Sequence, residues 1–187
     1  MKRFFKRLFI GSFVLILLIY CFKGVLYRNL ITYKEINQRT LVKIEENKIK
    51  NDLDIWLKTN NNVSTEQVID FAHHYSTENI NYTFGKCSTD PNKVILEDKK
   101  TNCVGYSASL HSVLSYLLKK KGLSSSVKSE HKVGQLYLGS FNIHRLFQDP
   151  AFKDHDYNVI TDLEKNKRYV IDPTLSANFE TFFIAWQ

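Results

Sequence analysis

The chain has 187 residues, room for one compact domain and a targeting segment, and its 43% hydrophobic and 13% aromatic content excludes a chain that stays disordered. The formal charge of +7 is unevenly spread: Lys2, Arg3, Lys6, Arg7, Lys23 and Arg28 take six of the 26 basic residues, leaving 20 against 19 acidic ones, a net +1. The part that folds is therefore near neutral, which argues against nucleic acid as a partner.

Residues 8–22 form an uncharged, mostly apolar run, and with Lys23 snorkelling it extends to about Leu26. Those ~19 residues approach the ~20 needed to cross a bilayer as a helix. Basic residues cluster before the run, which favours a cytoplasmic N-terminus with the remainder of the chain outside. Residues 1–28 are thus expected to be a single-pass membrane anchor, making the rest an extracytoplasmic domain. Signal-peptide cleavage and lipidation at Cys21 are the competing readings. No small-x-small cleavage site follows the apolar core, and bulky Tyr20 precedes Cys21.

Residues 30–58 are polar, with Tyr33, Ile36, Leu41, Ile44, Ile49, Leu53, Trp56 and Leu57 spaced mostly three to five apart. That spacing predicts one or two helices, so residues 29–62 are expected to be a helical stalk or linker and residues 63–187 the domain proper. Ser64 and Gln67 form a capping-box signature for a helix running to about Asn79. A short extended segment, residues 80–84, and a loop over 86–100 follow. Thr101 and Asn102 are N-cap types, and from Cys103 the apolar residues Leu110, Val113, Leu114, Leu117 and Leu118 define the best-marked helix in the chain. It should stop at Gly122, after Lys119, Lys120 and Lys121. Gly105, Ser107, Ala108, Ser109 and Ser112 keep its first turns slim enough to lie closely on a sheet.

The period then changes. Residues 126–131, 135–138, 154–162 and 167–172 are β-like, with a short helix expected around 141–147. Helices followed by consecutive strands predict an α+β fold, with an antiparallel sheet packed on the Cys103 helix.

A helix N-terminus favours a thiolate, because aligned peptide dipoles and unpaired amides stabilise the anion. Cys103 stands at such a position, and the same amides suit an oxyanion. A buried structural cysteine is the bland alternative. Only Cys87 shares the domain with Cys103, so the chain is no disulfide scaffold, though a Cys87–Cys103 bridge would mask the thiol. His155 opens one strand and Asp172 ends the next. A hairpin pairing Val159 with Arg168 would set His155 opposite Asp172, within hydrogen-bonding reach, and a shift of two residues would leave them diagonal on one face. His131 and His144 are rival bases. His111 lies about 12 Å along the helix from Cys103 and is too far, and His73 and His74 look like surface or packing residues. Cys87, Cys103 and the histidines lack metal-ligand spacing, so no zinc site is expected.

The run Thr101-Asn102-Cys103-Val104-Gly105-Tyr106, then His155-Asp156-Tyr157-Asn158-Val159, then Val170-Ile171-Asp172-Pro173-Thr174 resembles the transglutaminase-like superfamily in order and approximate spacing, over roughly residues 65–175. The resemblance implies a papain-like fold and a Cys103–His155–Asp172 triad that attacks amide bonds of protein or peptide substrates, with no metal or cofactor. Water as second substrate gives a peptidase or amidase, an amine gives a transglutaminase, and the residues do not choose. The alternative is a non-catalytic descendant serving as a binding or scaffolding module of the cell envelope.

Overall fold

A computed structural model describes residues 2–179 and 185–186. Helices α1 (Lys2–Cys21) and α2 (Lys23–Leu30) lead into strand β1 (Ile31–Arg39). Helices α3 (Asn47–Thr59) and α4 (Thr65–Thr77) follow, then the short strand β2 (Asn81–Tyr82), one turn of helix α5 (Pro91–Lys93) and β3 (Lys100–Thr101). The central helix α6 (Cys103–Lys120) precedes strands β4 (Val127–Leu138), β5 (Phe141–Asn142), β6 (His155–Asp162) and β7 (Lys167–Ile171). Helix α7 (Pro173–Phe179) and strand β8 (Ala185–Trp186) come last.

The main sheet runs β1-β4-β6-β7-β8, with β5 beside β4, and every pair in it is antiparallel. Strands β2 and β3 form a separate parallel pair. The fold is α+β. One face of the sheet carries Val127, Ile160, Tyr169 and Ile171 into a core shared with Ile49 and Leu53 of α3, Val68, Ile69 and Ala72 of α4, and Leu110, Val113, Leu114 and Leu117 of α6. Each such aliphatic side chain, fully buried, contributes roughly 1.5–3 kcal/mol. On the other face Tyr157, Val159 and Val170 form a smaller cluster that Tyr33 packs against.

Local signals that rest on hydrogen bonds are realised. The Gln67 amide donates to Ser64 Oγ at 3.3 Å and the Ser64 amide to Gln67 Oε1 at 2.8 Å, closing the box that starts α4. Past α6, Gly122 takes φ +72°, the left-handed conformation that glycine adopts without steric cost, and the Leu123 amide returns to the Leu118 carbonyl at 2.8 Å. The buried small residues at the start of α6 let it sit low on β6, so that Asn158 Nδ2 donates to the Ser107 carbonyl at 3.0 Å.

Two expectations are corrected. Residues 30–58 are not all helical. Ile31–Arg39 is a sheet strand, and α3 buries Ile49 and Leu53 in the common core, so this stretch does not stand clear as a stalk. Most side chains of β1 are exposed, so its composition stays polar and shows little alternation. The expected helix around 141–147 is a 3-10 turn over Ile143–Leu146 after a two-residue strand. Among the described residues, no helix is long and apolar enough to cross a membrane. Helix α1 ends at Cys21 and α2 resumes at Lys23, with the Phe22 amide bonded to the Leu18 carbonyl and the Leu26 amide to the Phe22 carbonyl, both at 2.9 Å.

Candidate active site

Cys103 is the first residue of α6. Asn102 is its N-cap: the Oδ1 atom accepts the Val104 amide at 3.1 Å and the Gly105 amide at 3.3 Å. Two of the four orphan amides of the helix start are thereby satisfied by the residue just before the cysteine. Thr101, fully buried, donates from Oγ1 to the Ser88 carbonyl at 2.8 Å. It fits because residue 105 lacks a side chain: a Cβ there would lie 1.8 Å from Thr101 Oγ1.

His155 opens β6 and Asp172 directly follows β7. The ladder between these strands pairs Asn158 with Ile171, Val159 with Val170 and Asp162 with Lys167. It is offset by two residues from a register that would oppose His155 to Asp172. The turn accounts for the offset, being four residues long rather than two, with Asn166 at φ +51° and the Lys165 amide bonded to Asp162 Oδ1 at 2.9 Å. His155 and Asp172 become diagonal neighbours on one face, and the reach of an imidazole closes the gap: Nε2 donates to Asp172 Oδ2 at 2.6 Å. The other oxygen, Oδ1, accepts the Leu175 amide at 3.1 Å, so the carboxylate also starts α7.

Opposite His155 on β4 stands Gly134. A Cβ there would meet the Lys34 carbonyl oxygen at 2.6 Å and Tyr157 Cε1 at 2.8 Å. Asp172 is buried and His155 nearly so. Burial alone would lower the His155 pKa. The Asp172 charge and hydrogen bond, followed by the hydrogen bond and charge of Cys103, outweigh it and hold the imidazole well above its ordinary value. Since Nε2 is engaged by Asp172, Nδ1 is the nitrogen left for the Cys103 sulfur.

The rival histidines are occupied elsewhere. His131 Nε2 bonds Asp156 Oδ2 at 2.6 Å, and its ring meets His111 edge-on at 6.3 Å. His144 Nδ1 bonds the Phe152 carbonyl at 2.7 Å, and His111 Nε2 the Ser129 carbonyl at 3.0 Å. His73 contacts Ser176, and burial pushes its pKa down to about 4, as burial also does for His111. Cys87 and Cys103 are both free thiols. Among the described residues, no three His, Cys, Asp or Glu side chains gather as a metal site.

Two residues escaped the sequence reading. Tyr33 Oη donates to Asp172 Oδ2 at 2.7 Å from β1, across 139 positions of sequence. Arg39, at the other end of β1, grips buried Asp156 with Nη2 3.1 Å from Oδ1 and Nε on Oδ2. Both sit on the strand read as helix, and no local signal marks either one. Arg39 also borders a groove of about 640 Å³ lined by Thr40, Val104, Ala108, His131 and Asp154.

Fold and site together define a class: an α+β domain with a cysteine at a capped helix start and a histidine bonded to a buried aspartate. No known family model matches the chain, and no curated protein matches it. Among solved structures the chain is similar to the periplasmic domain of TgpA from Pseudomonas aeruginosa bound to ethylmercury, with 13% identity and a TM-score of 0.45. That similarity covers 74% of this chain and 46% of the other, so the chain spans under half of that structure's length. The likeness is distant and concerns fold only.

Proposed function

We propose that this chain is a membrane-anchored, cysteine-dependent acyl-transfer enzyme acting on amide bonds of protein or peptide substrates. The observation that carries the reading is the His155 imidazole bonded at Nε2 to buried Asp172 at 2.6 Å, with the Cys103 side chain near enough to help raise its pKa. A scaffold has no need of an imidazole charged by a buried carboxylate and turned to a thiol.

The chemistry follows from the atoms. An imidazolium beside sulfur favours the thiolate, which attacks the substrate carbonyl carbon. Negative charge moves to the carbonyl oxygen. The amides of Val104 and Gly105 are taken by Asn102, so the Cys103 amide is the helix-start donor free of the cap and suited to that oxygen. As the C–N bond breaks, the His155 imidazolium gives its proton to the leaving amine, leaving a thioester on Cys103. A second nucleophile then attacks the thioester, His155 takes its proton, and the thiolate returns. Water yields the acid; an amine yields a new amide. Asp172 fixes the tautomer and plane of the ring.

Anchoring through residues 1–28, with the domain extracytoplasmic, belongs to the same proposal. Phe9, Phe13, Ile16, Leu17 and Tyr20 of α1 are exposed, and a continuous apolar surface of that kind is covered by lipid or another apolar partner.

Iodoacetamide at pH 6 tests the enzymatic reading. Cys103 should be alkylated well ahead of Cys87, and His155→Ala should erase that preference. Slow labelling at the same rate for both thiols would reduce the chain to a binding module.

A further inference from the structure

We infer that Tyr33 is a positioning residue for the Asp172 carboxylate, and that Tyr27 ties helix α2 to the same carboxylate through the Tyr33 hydroxyl. The inference rests on the reading of Cys103, His155 and Asp172 given above and adds two residues to it.

Asp172 lies one residue beyond the last paired position of β7, Ile171. Strand pairing therefore does not fix its side chain. The carboxylate is held by three donors: His155 Nε2 and Tyr33 Oη on Oδ2, at 2.6 and 2.7 Å, and the Leu175 amide on Oδ1 at 3.1 Å. With Tyr33 removed, the Leu175 amide alone would hold the group apart from the imidazole it is meant to orient. The carboxylate could then turn about its Cβ–Cγ bond and carry Oδ2 away from His155.

Tyr33 is itself well fixed. Its ring lies on Tyr157, centroids 4.5 Å apart, within the cluster that includes Val159 and Val170. A carboxylate only accepts, so the single phenolic proton of Tyr33 is spent on Asp172. Tyr33 can then only accept from Tyr27, whose hydroxyl is its further partner. The bonds run in one direction, from Tyr27 on α2 through Tyr33 on β1 to Asp172 and His155. Helix α2 leads out of the apolar N-terminal segment, so the end of the chain proposed as anchor also abuts the site.

The titratable groups around the Asp172–His155 pair come from five elements: Cys103 on α6, Tyr33 on β1, Tyr27 on α2, His73 on α4 and Tyr82 on β2. Burial holds His73 neutral near pH 7 and raises the Tyr82 phenol. Burial likewise raises Tyr33, which keeps its proton and acts as a neutral donor. Neither His73 nor Tyr82 can replace Tyr33 by supplying charge.

The test reads His155 directly. In the full-length chain carrying Cys103→Ala, the His155 imidazole is titrated by NMR, so the result does not depend on whether Cys103 is reactive. Tyr33→Phe keeps the ring and deletes the hydroxyl. It should lower the proton affinity of His155 about tenfold, because its acidic partner is no longer held in place. Tyr27→Phe should act in the same direction but less, and should add nothing once Tyr33 is already Phe, the non-additivity expected of links in one chain. An unchanged His155 titration in Tyr33→Phe would overturn the inference, and so would Tyr27 and Tyr33 effects that simply add. Failure of Cys103 to label ahead of Cys87 would overturn the enzymatic reading alone.

Discussion

His155 and Asp172 meet across the β6–β7 ladder as diagonal neighbours, with Nε2 2.6 Å from Oδ2, while the backbone positions are offset by two residues. The contact survives the offset because a two-residue shift preserves the face and an imidazole spans the diagonal. An odd shift would have turned the two side chains to opposite sides of the sheet.

That pair gives stability a pH signature. The folded His155 pKa is raised above the ~6.5 expected of an unfolded chain. Its stabilising contribution is therefore complete below that value and is lost as pH rises through the folded pKa. Asp172→Asn removes the charge and should destabilise the protein. The gap in melting temperature between wild type and variant is expected to be wider at pH 6 than at pH 10. A gap independent of pH would mean that His155 does not draw its charge from Asp172.

How far the sequence revealed the site depended on whether a signal was local. The cap at Asn102, the box at Ser64 and Gln67, and the stop at Gly122 are contacts between near neighbours, and they stand as the residue types dictate. The His155–Asp172 face was legible because strand alternation fixes it. The register was not, since it hangs on a turn whose length Asn166 sets by adopting positive φ. Tyr33 and Arg39 were invisible because most side chains of β1 are exposed, so no run of apolar residues marks it as a strand. Their partners Asp172 and Asp156 lie more than a hundred residues away.

Arg39 and Asp156 give a second pH-dependent term of opposite sign. Burial would raise the Asp156 pKa, but His131 and then Arg39 outweigh it and hold the carboxyl below its ordinary value. Such a group adds stability above its unfolded value of ~3.9, and that stability is lost as pH falls through the folded value. Arg39→Ala leaves a buried carboxylate with one partner fewer. Because the Arg39 side chain is 42% exposed and water can partly replace it, the cost at pH 7 should be about 1–2 kcal/mol by urea unfolding. The acid-unfolding midpoint should move to higher pH. A midpoint at its wild-type position would show that His131 alone satisfies Asp156.

Asn102 separates the structural role of a cap from its electrostatic one. Asn102→Ala should cost about 1 kcal/mol, because the Val104 and Gly105 amides lose their acceptor. Asn102→Asp should retain that stability, since aspartate caps as well as asparagine. Its negative charge, however, sits beside the Cys103 sulfur and opposes the thiolate. Alkylation of Cys103 at pH 6 should therefore slow in Asn102→Asp although its melting temperature is kept. Unslowed alkylation would indicate that the reactivity of Cys103 does not depend on the local field.

Thr101 lies close against Gly105 at the helix start, and the two can be tested as a pair. An alanine at 105 would place its Cβ 1.8 Å from Thr101 Oγ1, 2.9 Å from Thr101 Cβ and 3.1 Å from Thr101 Cγ2. The three nearest atoms belong to one side chain, itself buried and bonded through Oγ1 to the Ser88 carbonyl. Gly105→Ala must then push Thr101 out of place and tilt the residues leading into Cys103, at about 1–3 kcal/mol for overpacking. The gain of roughly 0.5–1 kcal/mol from replacing glycine within a helix does not offset that. Thr101→Gly combined with Gly105→Ala clears all three contacts, and the double variant should recover most of the stability lost in Gly105→Ala. Thermal unfolding of the single and double variants decides the matter: a double variant no more stable than Gly105→Ala would put the strain elsewhere than against Thr101.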